Sequence, residues 1–462
     1  MEQNLKEKFD NFSPTDYRYF VEDLKPYLTE RAFIKYKARV EAALVKVLAK
    51  FKIISREIAR EIVQAADSIT AEEVYEEEKR IKHDIRALVN CIRNRVSLKA
   101  RPYIHFLATS YDIVDTANAL RYKDASLKVI IPEMIRLEKT WMSLAERYKD
   151  VVQIGRTHGQ HAEPITFGFA LAQYVNRWGN RILKLKEATN NLVGKFSGAV
   201  GAYNASSLFF NNPEEFERAV LSEVGLNPAN ISTQILPPEP VVDFYHAIIS
   251  SFGVLANFCD DMRNLQRSEI AEVGEEFEEE QVGSSTMPQK KNPLNFENVK
   301  SMWKVFMSRM ITVYCDQISE HQRDLTNSCS QRYLPEVLVG FTAGVRRMAK
   351  VSSKLQIDKT NMEKNLRMSE GLIVAEPLYI LLAFQGYSDA HEYMRKLSMR
   401  SLKDNQSLIE MIKKDKNLKP YLEKLTASQK EIIENPSKYT GIASKKVEVI
   451  NKLWRRKLEL GE

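Results

Sequence analysis

With 462 residues the chain is longer than one hydrophobic core ordinarily serves, so two or three domains are expected. Hydrophobic residues make up 44% and charged residues 28%, an ordinary soluble globular composition. The net charge of +7 is spread thinly. No Lys/Arg block with interleaved aromatics occurs, which argues against nucleic acid as a partner and leaves only weak attraction for small anions.

Glycine (17) and proline (16) are scarce for this length, which favours long helices over a loop-rich β architecture. The start, MEQNLKEKFD, has no apolar run of the kind that directs secretion. The first hundred residues read as charged amphipathic helices over Glu30–Lys50, Ser55–Ala66 and Ala71–Arg95. Ile130, Met134, Leu137, Trp141, Leu144 and Tyr148 recur at three- and four-residue steps, one apolar stripe along a helix. Val151-Val152-Gln153-Ile154 is a short β-prone stretch. Phe167, Leu171, Tyr174, Trp178 and Leu185 then form a second stripe. Three more long helices are expected over about 241–269, 296–318 and 333–355. The apolar stretch Phe244–Cys259 contains His246 and several serines and is too short to span a bilayer, so no membrane partner is expected. Glu275, Glu276, Glu278, Glu279 and Glu280 read as a solvated surface. Beyond about 360 the helices become shorter and Lys-rich. Cys91, Cys259, Cys315 and Cys329 are scattered without metal-type spacing, as in reduced thiols of a cytoplasmic protein. Five long mid-chain helices with broad apolar stripes imply an all-α bundle that associates into an oligomer.

Four polar stretches interrupt this rhythm. Lys82-His83-Asp84 could be a solvated helix face or part of a site. Ala108-Thr109-Ser110-Tyr111-Asp112 could supply helix caps, or donors for a carboxylate or phosphate. Gly155-Arg156-Thr157-His158-Gly159-Gln160-His161 carries more polar groups than a cap needs. Zinc is a weak competing idea there, because His-x-x-His lacks a third ligand. VGSSTMPQKKNPLN, residues 282–295, combines small residues, hydroxyls and cations; it could be a plain surface loop or a mobile lid. Together these parts suit abstraction of a proton next to a carboxylate. That chemistry needs a base, cations to hold the dianionic intermediate, and an acid for the leaving atom. A serine serves as base only as an alkoxide held near lysine and backbone N–H groups. Histidine is the natural acid.

GSSTMPQKKNP also resembles the signature of the fumarase/aspartase lyase superfamily. Within it, GRTHGQHAEPITFG, KHD, TSYDIVDT, FSGAVG, STQ, MRNLQRSE and HQRDLTNSCSQRYLPE resemble the adenylosuccinate lyase family, as does FSPTDYRY near the N-terminus. The resemblance implies a three-domain all-α subunit, with domains at 1–107, 108–360 and 361–462 and a central five-helix bundle. It implies a homotetramer whose sites are each assembled from three subunits, and release of fumarate from a succinyl nucleotide. It assigns Ser285 as base, with Ser284 adjacent as the alternative, and His158 as acid paired with Glu297. It sets His83, the other candidate for delivering the leaving-group proton, with Lys82 and Asp84 beside the phosphate or purine. Lys290 and Asn292 would hold carboxylates, and Thr109, Ser110 and Gln234 the succinyl part, with Thr157 and Met287 also in contact with substrate. Arg18, Tyr19, Arg323, Ser328 and Arg332 would grip the ribose phosphate and purine side. No metal and no cofactor is implied. Tyr17, Lys82 and the run Pro237-Pro238-Glu239-Pro240 depart from the expected pattern. MPQKKNP also suits an argininosuccinate-type lyase, which stays as the alternative. A non-catalytic helical oligomer would have eroded these positions, and they are intact.

Overall fold

The structure, a computed structural model, describes residues 10–319 and 325–460. It is mostly helical, with only short two-stranded sheets among the described residues.

In chain order, α1 (Glu30–Lys50) starts at Thr29, whose hydroxyl accepts from the Ala32 N–H at 3.2 Å. It is followed by α2 (Arg56–Ser68). Next, α3 (Ala71–Ile81) opens on a reciprocal Thr70/Glu73 capping box. The helix expected over Ala71–Arg95 is in fact two. Lys82 takes a left-handed φ of 59° and ends α3, and His83 caps α4 (Asp84–Arg93). Then come α5 (Ser110–Ala125) and, after a π turn, α6 (Ile131–Arg147). The β-prone stretch grows into a hairpin of β1 (Val152–Thr157) and β2 (Gln160–Thr166). The chain continues through α7 (Phe167–Asn190), α8 (Pro213–Val224), α9 (Glu239–Leu265), α10 (Leu294–Met307) and α11 (Pro335–Ser353). The fourth expected long helix breaks at Ser308 and resumes over Arg309–Cys315. There the Ser308 hydroxyl donates back to the Val305 carbonyl at 2.8 Å. By length and composition α9 could cross a bilayer, which corrects the estimate made from Phe244–Cys259 alone. Yet 61% of its most apolar window is buried inside the protein.

The chain divides into two compact units. The first takes residues up to 135, 180–253 and 301–346; the second takes 136–179, 254–300 and 347 onward. In the first unit α1 packs on α2, α5 and α8, and its core includes Phe33, Tyr122, Phe244 and Tyr245. In the second, Trp141 lies among Tyr174, Trp178 and Phe258, and its indole N–H donates to Ser352 at 3.0 Å. Both apolar stripes read from the sequence are buried along their length. Gly179 has no room for a Cβ, which would meet the Trp454 ring at 2.4 Å.

Candidate active site

A cavity of about 710 Å³ opens in the first unit. The starts of two helices line it. At α4, the His83 Nδ1 accepts from the Arg86 N–H at 3.3 Å, so a neutral ring carries its proton on Nε2. Asp84 follows, 3.3 Å from the ammonium of Lys37, which is 2% exposed. Burial pushes the Lys37 ammonium down and opposes ionisation of Asp84. The charge of Lys37 nonetheless holds the Asp84 carboxyl below its ordinary value. At α5, Thr109 is the N-cap residue and its N–H donates to Asp112 Oδ2 at 2.8 Å; Ser110, one residue on, reaches the cavity. Asp112 is fully buried. It pairs with Lys195 and accepts the N–H groups of Ser197 (3.2 Å) and Gly198 (3.3 Å). TSYDIVDT and FSGAVG are therefore joined through the buried Asp112 carboxylate.

Lys82, Gln234, Ser328 and Arg332 line the same cavity. Among the described residues the buried Gln234 Oε1 has no hydrogen-bond partner, and Arg332 stands 3.7 Å from Glu30. Arg18, Tyr19 and Thr109 are not among the lining residues, although Phe20 and Val21 are. Arg323 lies outside the described residues. Asn118, Arg121 and Gln331, which the sequence did not single out, also face this space.

The second unit carries the other residues singled out. Thr157 and Gln160 pair across the hairpin end, and between them His158 (φ 53°) and Gly159 (φ 74°) form the tight turn. Two successive positive φ angles suit the right-handed twist of such a hairpin, and Gly159 supplies the second without strain. Thr157 and His158 are exposed at this tip. At the base, Gly155 lies where a Cβ would meet the Glu163 carbonyl at 2.3 Å. Glu272, wholly buried, accepts from Gln153 (2.6 Å), from both Arg156 Nη atoms (3.2 and 2.6 Å) and from Asn365 (2.8 Å). Sequence reading missed this anchor, because its members lie roughly a hundred positions apart and share no motif.

In the GSSTMPQKKNP loop, Gly283 packs against Lys290, whose carbonyl a Cβ would meet at 2.1 Å; the Asn292 amide donates to the Gly283 carbonyl at 2.8 Å. The Ser284 hydroxyl accepts from the N–H groups of Thr286 (3.3 Å) and Met287 (3.1 Å). Ser285, Met287 and Lys290 are exposed. Glu275 is 4% exposed rather than solvated. Its carboxylate takes the N–H groups of Asn295 (2.9 Å) and Phe296 (2.8 Å) and so fixes the start of α10. Glu297 is exposed in the first turn of that helix, and no hydrogen bond or ion pair joins it to His158. Among the described residues, no group of three or more His, Cys, Asp or Glu is placed to hold a metal.

A lyase family model matches residues 14–307, and a model of the adenylosuccinate lyase C-terminal region matches residues 319–432. The chain belongs to the adenylosuccinate lyase family. It is 38% identical to the adenylosuccinate lyase of Archaeoglobus fulgidus, over 94% of this chain and 97% of that one. With the adenylosuccinate lyase of Pyrococcus horikoshii it shares 37% identity over 96% and 99%. An N-acetyl-S-(2-succino)cysteine lyase from Enterococcus italicus is 29% identical over 94% of this chain and 95% of that one. The fold of this chain matches that of a fumarate lyase from Mesorhizobium sp. BNC1, with a TM-score of 0.82, 24% identity, and coverage of 94% of this chain and 98% of that one.

Proposed function

We propose that this chain cleaves adenylosuccinate to AMP and fumarate, and the succinyl-aminoimidazole carboxamide ribotide of purine biosynthesis in the same way. The near-full-length kinship with adenylosuccinate lyases carries this reading. In the elimination, a base removes a proton from the succinyl carbon beside a carboxylate. The electron pair forms the fumarate double bond as the C–N bond breaks, and an acid protonates the departing nitrogen.

Between the two serines, the geometry favours Ser284 as the base. Its oxygen already receives two backbone N–H groups, the environment an alkoxide needs, whereas Ser285 is exposed. Lys290 and Asn292 would hold the carboxylates, with Met287 and Thr157 against the substrate. His158 would serve as acid, oriented on substrate binding by Glu297. His83, with its proton on Nε2, would donate a hydrogen bond to the nucleotide. Lys82, Asp84, Ser110, Gln234, Ser328 and Arg332 would line the nucleotide's site, with Arg18, Tyr19, Thr109 and Arg323 contributing nearby.

The same reading takes the protein as a cytoplasmic homotetramer with shared sites and three domains per subunit. Supporting it is the exposed position of His158 and Ser285 within their own unit, where a neighbouring chain could reach them. A His158→Gln and a Ser284→Ala subunit, each inactive, should regain partial activity when mixed and reassembled. No recovery in verified hybrids would remove shared sites from the proposal.

Ultraviolet absorbance tests the substrate, with adenylosuccinate, the succinyl ribotide, argininosuccinate and N-acetyl-S-(2-succino)cysteine offered in parallel. Turnover of either of the last two in preference to adenylosuccinate would assign the chain to another branch of fumarate-releasing lyases. The Enterococcus italicus relative is the observation that makes such a branch worth testing.

A further inference from the structure

Arg121, a buried cation of the first unit's cavity, has no carboxylate partner among the described residues. Arg121, on α5, is 3% exposed yet lines the cavity. Its hydrogen bonds go to neutral groups: Nε donates to Asn118 Oδ1 at 2.9 Å, and Nη2 to the Tyr122 hydroxyl at 3.4 Å. Its guanidinium lies 4.0 Å from the Phe33 ring centroid, and no described carboxylate forms an ion pair with it. The contrast with Lys37 is direct. Lys37 lies 4.2 Å from the centroid of the same Phe33 ring and is as deeply buried, but it has Asp84 at 3.3 Å. Taking a guanidinium out of water is costly unless a counter-charge replaces the solvent, and an aromatic face returns only part of that cost.

We infer that Arg121 is an anion-binding residue of this cavity, its missing partner being an oxyanion of the bound ligand. The inference rests on the reading of the cavity as the substrate site and adds to it a residue that none of the motifs singled out. Asn118 fixes the guanidinium plane through Nε, and Nη1 makes no hydrogen bond among the described residues. The Asn118 amide is itself held by the Gln331 Oε1 at 3.2 Å, which ties α5 to the segment carrying Ser328 and Arg332. A planar fork supported in this way suits a phosphate monoester or a carboxylate, and the two sources can be separated.

The test measures affinity and melting temperature for wild type, Arg121→Met and Arg121→Lys, using AMP as the phosphate probe and fumarate as the carboxylate probe. Arg121→Met should bind one of the two about tenfold or more weakly, because a charge-assisted contact is lost. Its ligand-free melting temperature should equal or exceed that of wild type, because an uncompensated buried charge is gone. Arg121→Lys should fall between the two in affinity. Loss for AMP alone assigns the phosphate, and loss for fumarate alone a carboxylate. Unchanged affinity for both probes overturns the inference, as does a ligand-free Arg121→Met protein that melts lower or fails to fold, since either result makes Arg121 a packing residue. A wild type that binds neither probe and cleaves no succinyl nucleotide would bring down the proposed function as well. A wild type that binds and turns over beside an unaffected variant removes this inference alone.

Discussion

The base of the His158 hairpin is anchored on the buried Glu272, and Glu272→Gln isolates that dependence. Each carboxylate oxygen of Glu272 takes two donors: Gln153 Nε2 and Arg156 Nη1 on one, Arg156 Nη2 and Asn365 Nδ2 on the other. A glutamine keeps the shape but turns one oxygen into an NH₂ group, which must then face two donors. Two hydrogen bonds are lost and the Arg156 charge, only 17% exposed, keeps no anion. Removing one member of a buried pair costs about 3–5 kcal/mol, and the near-isosteric change points to the lower end. The melting temperature should drop by an amount on the order of 10 °C. Because β1 carries Arg156 two residues before His158, a shift of the turn should lower kcat on the order of 100-fold, with a smaller effect on KM. Differential scanning fluorimetry and steady-state absorbance assays measure both quantities. A Glu272→Gln protein that melts and turns over like wild type would refute the idea that this carboxylate holds the hairpin. Arg156→Lys, which retains the charge but not the bidentate geometry, should lie between the two.

Three further outcomes follow from named contacts. Ser284→Ala should abolish turnover while fumarate still binds, and Ser285→Ala should keep at least a tenth of wild-type kcat; the reverse pattern in rapid-quench assays would reassign the base to Ser285. Gly283→Ala should lower kcat without changing the melting temperature by more than about 4 °C, because its Cβ would strike the Lys290 carbonyl within the loop rather than the core; an unchanged kcat would show that this close approach is dispensable. Burial pushes the Asp115 carboxyl up to about 6, against 3.8 ordinarily, although it accepts the Leu236 N–H at 2.8 Å. Its stabilising contribution is therefore full below about pH 4 and is lost as pH rises through 6, at a cost of about 3 kcal/mol by neutral pH. Asp115→Asn, which can still accept from Leu236, should be the more stable protein at pH 7.5 and no more stable at pH 4. Equal melting temperatures at both pH values would show that Asp115 titrates normally.

What could be read from the sequence was what short range determines. The stripes Ile130–Tyr148 and Phe167–Leu185 are recorded in their own spacing, and they are buried as that spacing requires. The motif strings were legible because each is a local string. The break between α3 and α4 was not, since a left-handed Lys82 carries no glycine to announce it and both flanks read as amphipathic helix. The hairpin was visible only for its first three residues, because Arg156, Thr157 and His158 hide the strand behind polar side chains. Glu275 looked like one acid among five; its burial depends on Asn295 and Phe296, twenty positions away. The same distance problem concealed Glu272 and left Arg121 looking like an ordinary helix residue.

The residues singled out for the site share a physical feature, and it bears on the function. His83 and Ser110 stand at helix starts, His158 at a tight turn, and Ser284 at a turn whose N–H groups it collects. At such positions the regular ladder ends, leaving backbone donors to be satisfied and side chains aimed away from a packed face. Two helices, α4 and α5, begin at the same cavity, so its binding character comes from helix ends rather than helix faces. A bundle built this way can change its ligand contacts by exchanging a residue at a cap or a turn while the buried stripes stay as they are. Relatives acting on different succinyl compounds should therefore diverge from this chain at Lys82, Ser110, Gln234 and their neighbours. The packed positions Trp141, Trp178 and Phe258 should vary only as volume allows.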